Sequence, residues 1–91
     1  MNDEPYRYRR GEQIAYIPRH AEGDITHPDV EFGFVTSGPN DLGDYFCRYW
    51  RKGHIGDLRT KANSECTPFE LMRPHSVLPV SVVQDALREF C

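Results

Sequence analysis

The apolar positions in the first half of the chain alternate with a period of two, which predicts β-strands. Three such runs occur, at residues 13–17, 31–36 and 45–50. Pro18 ends the first run by removing a backbone donor, and Gly33 within the second marks a bend or a close approach of another backbone. The pattern therefore predicts a small, mainly β domain.

The third run offers two choices of inward face. Burying Phe46, Arg48 and Trp50 would place an arginine in the core without an obvious partner, which is costly. We therefore predict that the opposite face points inward and that Phe46 and Trp50 need a cover, either from this chain or from a partner. The predicted core consists of Ile14, Tyr16, Val35, Tyr45, Cys47 and Tyr49.

A period of about 3.6 residues appears clearly only at the end of the chain. In residues 79–90 it predicts a helix. Because about 11 residues are marginal as an isolated helix, we expect it to dock on Phe46 and Trp50 of its own chain. A homodimer that exchanges this helix is the alternative. The predicted apolar stripe consists of Val80, Val83, Leu87 and Phe90.

The segment between the third strand and the helix is less regular. Residues 51–58 predict a turn region with two glycines, and residues 58–63 a short fourth strand. Residues 67–72 predict a single helical turn with Thr67 as its N-cap. Residues 1–11 predict an irregular arm.

Length and composition describe one globular domain. The chain has 91 residues, of which 27% are charged and 38% hydrophobic. No apolar run approaches the roughly 20 residues that span a bilayer, and the N-terminus has no apolar signal region. We expect a soluble protein of the cytoplasm that does not enter a membrane. Three cysteines without a C-x-x-C spacing predict neither a disulfide framework nor a cysteine zinc site.

The net charge of −3 argues against a general grip on nucleic acid, which requires a basic surface. Basic and aromatic residues nevertheless cluster in the third strand, and this composition is typical of protein interfaces and of single-strand binders. We expect a protein partner, with nucleic acid as an alternative. The candidate partner-binding residues are Phe46, Arg48, Trp50 and Arg51.

The long loop of residues 19–30 holds the other candidate chemistry. Two imidazoles with carboxylates suit zinc, iron or manganese, although their spacing matches no established metal motif. Asp24 and Asp29 can instead accept backbone N–H groups and fold the loop on itself. We predict that hydrogen bonds rather than a metal order this loop, and we assign no cofactor. The candidate loop residues are His20, Asp24, His27, Asp29 and Glu31.

The sequence contains no phosphate loop, nucleophile elbow or His-Glu-x-x-His helix, which predicts a protein that is not an enzyme. Its short strands, glycine-rich turns and long first loop predict a small SH3-like barrel over residues 12–73, with the helix of residues 79–91 docked on it. The order Gly11-x-x-Ile14-x-Tyr16, Gly33-x-Val35 and Tyr45-Phe46-Cys47-Arg48-Tyr49 resembles the KOW and SH3-like barrel family.

Residues 11–49 also resemble small phage and prophage proteins with a Tyr-x-Pro-x-His-Ala…Gly-Asp…His-Pro-Asp-x-Glu-x-Gly-x-Val run. The resemblance implies a fold and a phage-like origin but no activity. We therefore expect a non-catalytic protein-interaction module of phage or prophage origin. The alternatives are an anti-CRISPR-like inhibitor of a host defence complex, a nucleic-acid-binding accessory protein and a metal-binding domain. The matching residues are Tyr16, Pro18, His20, Ala21, Gly23, Asp24, His27, Pro28, Asp29, Glu31, Gly33 and Val35.

Overall fold

An antiparallel sheet and one C-terminal helix make up the fold. The computed structural model describes residues 6–59 and 64–88. It confirms the prediction of a mainly β chain that ends in a helix. In chain order the elements are β1 (Gln13–Tyr16), a first 3-10 helix (Arg19–Ala21), β2 (Glu31–Ser37), β3 (Tyr45–Arg51), β4 (His54–Leu58), β5 (Glu65–Thr67), a second 3-10 helix (Phe69–Leu71), β6 (Met72–Pro74) and α1 (Val80–Arg88).

The strand order is β4–β3–β2–β1–β6, and every pairing is antiparallel. β5 pairs with the first half of β3, whereas β4 pairs with its end. Within residues 6–59 and 64–88 the sheet does not close into a barrel. Gly33 lies opposite Tyr49, and a Cβ on this glycine would lie 2.0 Å from the carbonyl oxygen of Arg48. The predicted close approach of two backbones is therefore confirmed.

One face of the sheet carries the larger core. Tyr45, Cys47 and Tyr49 of β3 point into it, which confirms the predicted facing of this strand. Tyr16, which we predict to be core, is only partly buried. Tyr8 of the N-terminal arm packs against Tyr45, with a ring-centroid distance of 5.2 Å. The buried members of this core are Tyr8, Ile14, Val35, Tyr45, Cys47, Tyr49 and Met72.

The opposite face is covered by α1. Trp50 is 2% exposed and packs with Phe34 and Val83. The predicted docking surface is correct for Trp50 but wrong for Phe46, whose place is taken by Phe34 of β2. The register explains this, because Phe34 lies opposite Arg48, whereas Phe46 lies further along β3 opposite Ser37.

Arg48 is 4% exposed, which corrects the premise that it lies on an open face. The sheet is buried on both sides at this point, so neither choice of facing would have left the arginine in water.

The predicted apolar stripe of the helix also needs correction at its start. Val83 is buried, but Val80 is 67% exposed. Phe90, the last residue of the predicted stripe, lies outside the described residues. No helix in the described ranges is long and apolar enough to cross a membrane.

Gln13 fixes the segment that leads into α1. Its side-chain Oε1 accepts hydrogen bonds from the backbone N–H groups of Val77 and Leu78, each at 3.0 Å. Its Nε2 donates to the carbonyl oxygen of Leu78 at 2.6 Å, and its own carbonyl accepts from the N–H of His75 at 3.1 Å. The buried side-chain amide of Gln13 thus bonds the backbone of the linker between β6 and α1, as a neighbouring strand would.

Three predicted elements differ from the structure. Residues 51–58 form a hairpin between β3 and β4 rather than a turn region alone. The fourth strand ends at Leu58, and residues 60–63 of the predicted strand lie outside the described residues. Thr67 does not cap a helix, because it belongs to β5 and its hydroxyl bonds the Tyr49 hydroxyl.

We predict that Gln13→Ala lowers the free energy of unfolding by about 1–3 kcal/mol, because partly buried linker groups lose their partners. Chemical denaturation measures this change. Gln84→Ala is the matched control, because the same truncation on the exposed face of α1 should change stability by less than about 0.5 kcal/mol. Equal effects of the two substitutions would contradict the role of Gln13.

We predict that Tyr49→Ala lowers the free energy of unfolding by about 3–5 kcal/mol, because its ring lies in the larger core. The same denaturation experiment measures it. A loss below about 1 kcal/mol would show that the ring is not part of the core.

Candidate functional site

The loop of residues 19–30 is a succession of tight turns. The N–H groups of Ala21, Asp24, His27 and Val30 each donate to the carbonyl oxygen three residues earlier, at 2.9–3.1 Å. The Asp24 carboxylate accepts from the N–H of Thr26 at 2.9 Å and from its hydroxyl at 2.6 Å. The prediction that Asp24 folds the loop on itself is therefore confirmed, whereas the Asp29 carboxylate bonds the side chains of His20 and Lys52.

A small apolar cluster of its own supports the loop from below. Ala21 and Val30 are buried, and Ile25 packs against them together with Phe32. The strand residues Ala15 and Ile17 complete this cluster. Because the apolar residues of the loop turn inward, its polar residues are left on the outer side of a fixed backbone.

Three of the five candidate loop residues converge. The ring nitrogens of His20 and His27 and a carboxylate oxygen of Asp29 lie within 4.8 Å of one another. His20 Nε2 and Asp29 Oδ2 are 2.7 Å apart, and the two imidazole rings meet edge to face at a centroid distance of 5.2 Å. The His20 hydrogen bond holds the pKa of Asp29 below its ordinary value. We refer to His20, His27 and Asp29 as the loop cluster.

The other two candidates have different partners. Asp24 bonds Thr26, and Glu31 forms an ion pair with Arg59 at 2.6 Å. Lys52, which follows the basic and aromatic residues of the third strand, reaches the loop cluster from the β3–β4 hairpin, with its Nζ 3.6 Å from Asp29 Oδ1.

A cleft of about 500 Å³ separates the loop from this hairpin. Trp50 and Arg51 of β3 contribute to one wall, while His27 and Glu31 contribute to the other. Two residues of each site predicted from the sequence therefore line one cleft, which we call the loop–hairpin cleft. Its lining is Ile25, Thr26, His27, Pro28, Val30, Glu31, Phe32, Trp50, Arg51, Lys52, Gly53 and Ile55.

The indole N–H of Trp50 is buried and has no hydrogen-bond acceptor among the residues that the structure describes. Buried donors are nearly always satisfied in folded proteins, so this N–H is an exception to the usual pattern. Arg51 is exposed at the same place, and Ile55 of β4 is 45% exposed.

The four predicted partner-binding residues are not equally placed. Trp50 and Arg51 line the loop–hairpin cleft, whereas Phe46 and Arg48 do not. Arg48 is buried, and Phe46 pairs with Cys66 at the other end of β3. Ile55 could not be selected from the sequence, because β4 is exposed at four of its five positions and therefore shows no alternation of buried and exposed residues.

Neither of the two cysteines in residues 6–59 and 64–88 lines this cleft. Burial raises the pKa of the Cys47 thiol to about 11, so it stays protonated near neutral pH. Cys66 is exposed and lies in β5, outside the cleft lining.

Comparison of the chain with protein-family models, curated proteins and solved structures found no significant match. The function is therefore inferred from the arrangement of the residues themselves.

We predict that acidification opens the turn at Asp24. The Thr26 hydroxyl and then the Thr26 N–H hold the pKa of Asp24 below its ordinary value of 3.8. A lowered pKa means that the contribution of this carboxylate to loop order is present above 3.8 and is lost as the pH falls through the folded-state pKa. The Thr26 amide resonance should therefore titrate with a midpoint below 3.8, and Asp24→Asn should remove that titration. A midpoint at or above 3.8 would contradict the bonding of this turn.

Proposed function

We propose that this chain is a non-catalytic protein-interaction module that binds a segment of a partner protein in the loop–hairpin cleft. The observation that carries the proposal is an apolar lining bordered by the exposed side chains of Arg51 and Ile55. Interfaces are enriched in aromatic residues and arginine at such positions. The volume of about 500 Å³ suits a few side chains rather than a whole folded surface.

The charges at the cleft define the chemistry of the partner. Arg51 and Lys52 lie on the hairpin wall, whereas the Glu31 carboxylate on the loop wall is already paired with Arg59. A segment with aliphatic or aromatic side chains next to a carboxylate complements this surface. Its acidic group suits Arg51.

The order of the elements supports an SH3-like architecture. A long loop follows β1, three neighbouring strands follow as a meander, and a 3-10 helix precedes a last strand that returns to β1. We propose this fold class on that order. The phage or prophage origin, the location in the cytoplasm and the anti-CRISPR-like alternative stay predictions.

Nucleic acid is the competing partner, because Arg51 and Lys52 would also suit a phosphate. The apolar lining favours a protein segment, since a nucleic-acid surface relies on a basic stripe that neutralises several phosphates. Catalysis receives no support from the cleft. The His20–Asp29 pair beside it is largely exposed, with side chains 62% and 51% accessible, and such a pair is strongly screened by water.

Panning a random peptide library on the full-length chain tests the proposal. We expect selected peptides to combine apolar and acidic residues. Ile55→Ser and Arg51→Glu should each weaken binding of a selected peptide about tenfold, as expected for interface contacts of above about 1 kcal/mol. Fluorescence anisotropy with a synthetic copy of the peptide measures this.

Leu42→Ser is the matched control, because Leu42 is 84% exposed but lines a different cleft, beside Tyr6 and Phe69. Binding that responds to Leu42→Ser and not to Ile55→Ser would place the site elsewhere and contradict the proposal. Tighter binding of a single-stranded oligonucleotide, with affinity falling steeply with salt, would favour the nucleic-acid alternative.

A further inference from the structure

We propose that the loop cluster of His20, His27 and Asp29 is a binding site for a divalent transition-metal ion, for which zinc is the best-suited candidate. Two imidazole nitrogens and one carboxylate oxygen converge within 4.8 Å on the outer side of the loop. This site is distinct from the proposed peptide cleft, which borders it at His27.

The distances fit a metal with little movement. Zinc–nitrogen bonds of about 2.0–2.1 Å and tetrahedral angles place neighbouring ligand atoms roughly 3.3 Å apart. The separation of His20 Nε2 and Asp29 Oδ2 is 2.7 Å, and all three donors lie within 4.8 Å. Because His20 and Asp29 are exposed, their side chains can rotate to this spacing without disturbing the core.

The hydrogen bonds identify the atoms that would bind. His27 Nδ1 accepts a hydrogen bond from the backbone N–H of Asp29 at 3.0 Å, so the proton of the neutral ring lies on Nε2. The Nδ1 lone pair is thus directed toward Asp29, and a metal would take it in exchange for this backbone bond. At His20 the metal would replace the proton that Nε2 shares with Asp29 Oδ2; that proton leaves for solvent or moves to Nδ1.

The backbone holds these ligands in place before any metal arrives. His20 lies in the first 3-10 helix, and the turn from His27 to Val30 is closed by a hydrogen bond of 3.0 Å. Lys52 approaches Asp29 Oδ1 rather than Oδ2, so the oxygen beside His20 stays available.

The donor set selects the class of metal. Imidazole nitrogens suit zinc and its neighbours in the first transition series, whereas calcium and magnesium require oxygen ligands. Three protein ligands leave at least one position for water or for a group from a partner. Among the divalent ions of this series the site should prefer the later members, with copper above zinc in affinity.

Isothermal titration of the full-length, tag-free chain with zinc chloride tests the site. All proteins carry Cys66→Ser and Cys91→Ser, which removes two thiols that would bind zinc on their own. We expect one zinc per chain. His20→Ala, His27→Ala and Asp29→Asn should each weaken binding by at least about tenfold, since even changes outside the ligand shell cost about 10–100-fold in metal sites.

His54→Ala is the matched control, because His54 is exposed in β4 and lies outside the loop cluster. It should leave the affinity unchanged. Cobalt(II) absorption provides a second readout, with visible bands in the control and weaker or absent bands in the three variants. Absence of zinc binding at millimolar concentration, or equal binding by all four variants, would overturn the site. Either result would leave the proposed peptide cleft untouched, because no peptide is present.

Discussion

The side-chain amide of Gln13 is the contact on which the arrangement of the two sheet faces depends. It satisfies two N–H groups and one carbonyl of the linker before α1, at the edge of β1. Without a partner these partly buried backbone groups would favour a linker that is open to water. With them bonded, α1 lies over Phe34 and Trp50. The hydrogen bonds of one polar residue in β1 and the apolar contacts of Val83 therefore act together to position an amphipathic helix.

Coverage of both faces determines where binding surfaces remain. The larger core fills one side of the sheet, and α1 covers the centre of the other. The side chains that a ligand can reach are consequently at the rims of the sheet, where the loop of residues 19–30 faces the β3–β4 hairpin. Trp50 links the two regions, because it packs with Val83 of α1 and also lines the loop–hairpin cleft. The fold that buries this indole leaves its N–H without an acceptor in the described residues.

The features that could be predicted from the sequence are those that a local hydrophobic period or a local composition determines. Alternation located β1, β2 and β3, and a 3.6-residue period located α1. The predicted facing of β3 was correct, but the reason given for it was wrong. Arg48 is buried although it lies on the face opposite the larger core, because that face is covered too. β4 escaped detection since its residues are exposed on both sides. Composition identified the polar residues of the loop, but only the succession of turns selects the three that converge, and no local pattern encodes that succession.

Lys52 connects the loop cluster with the loop–hairpin cleft. It approaches Asp29 on one side and lines the cleft on the other. A carboxylate that entered the cleft and attracted Lys52 would leave Asp29 with less positive charge nearby. Asp29 would then be a stronger ligand for a cation, and a cation bound there would in turn release Lys52 toward the cleft. Coupling of this kind is reciprocal, so each ligand would raise the affinity for the other by the same factor.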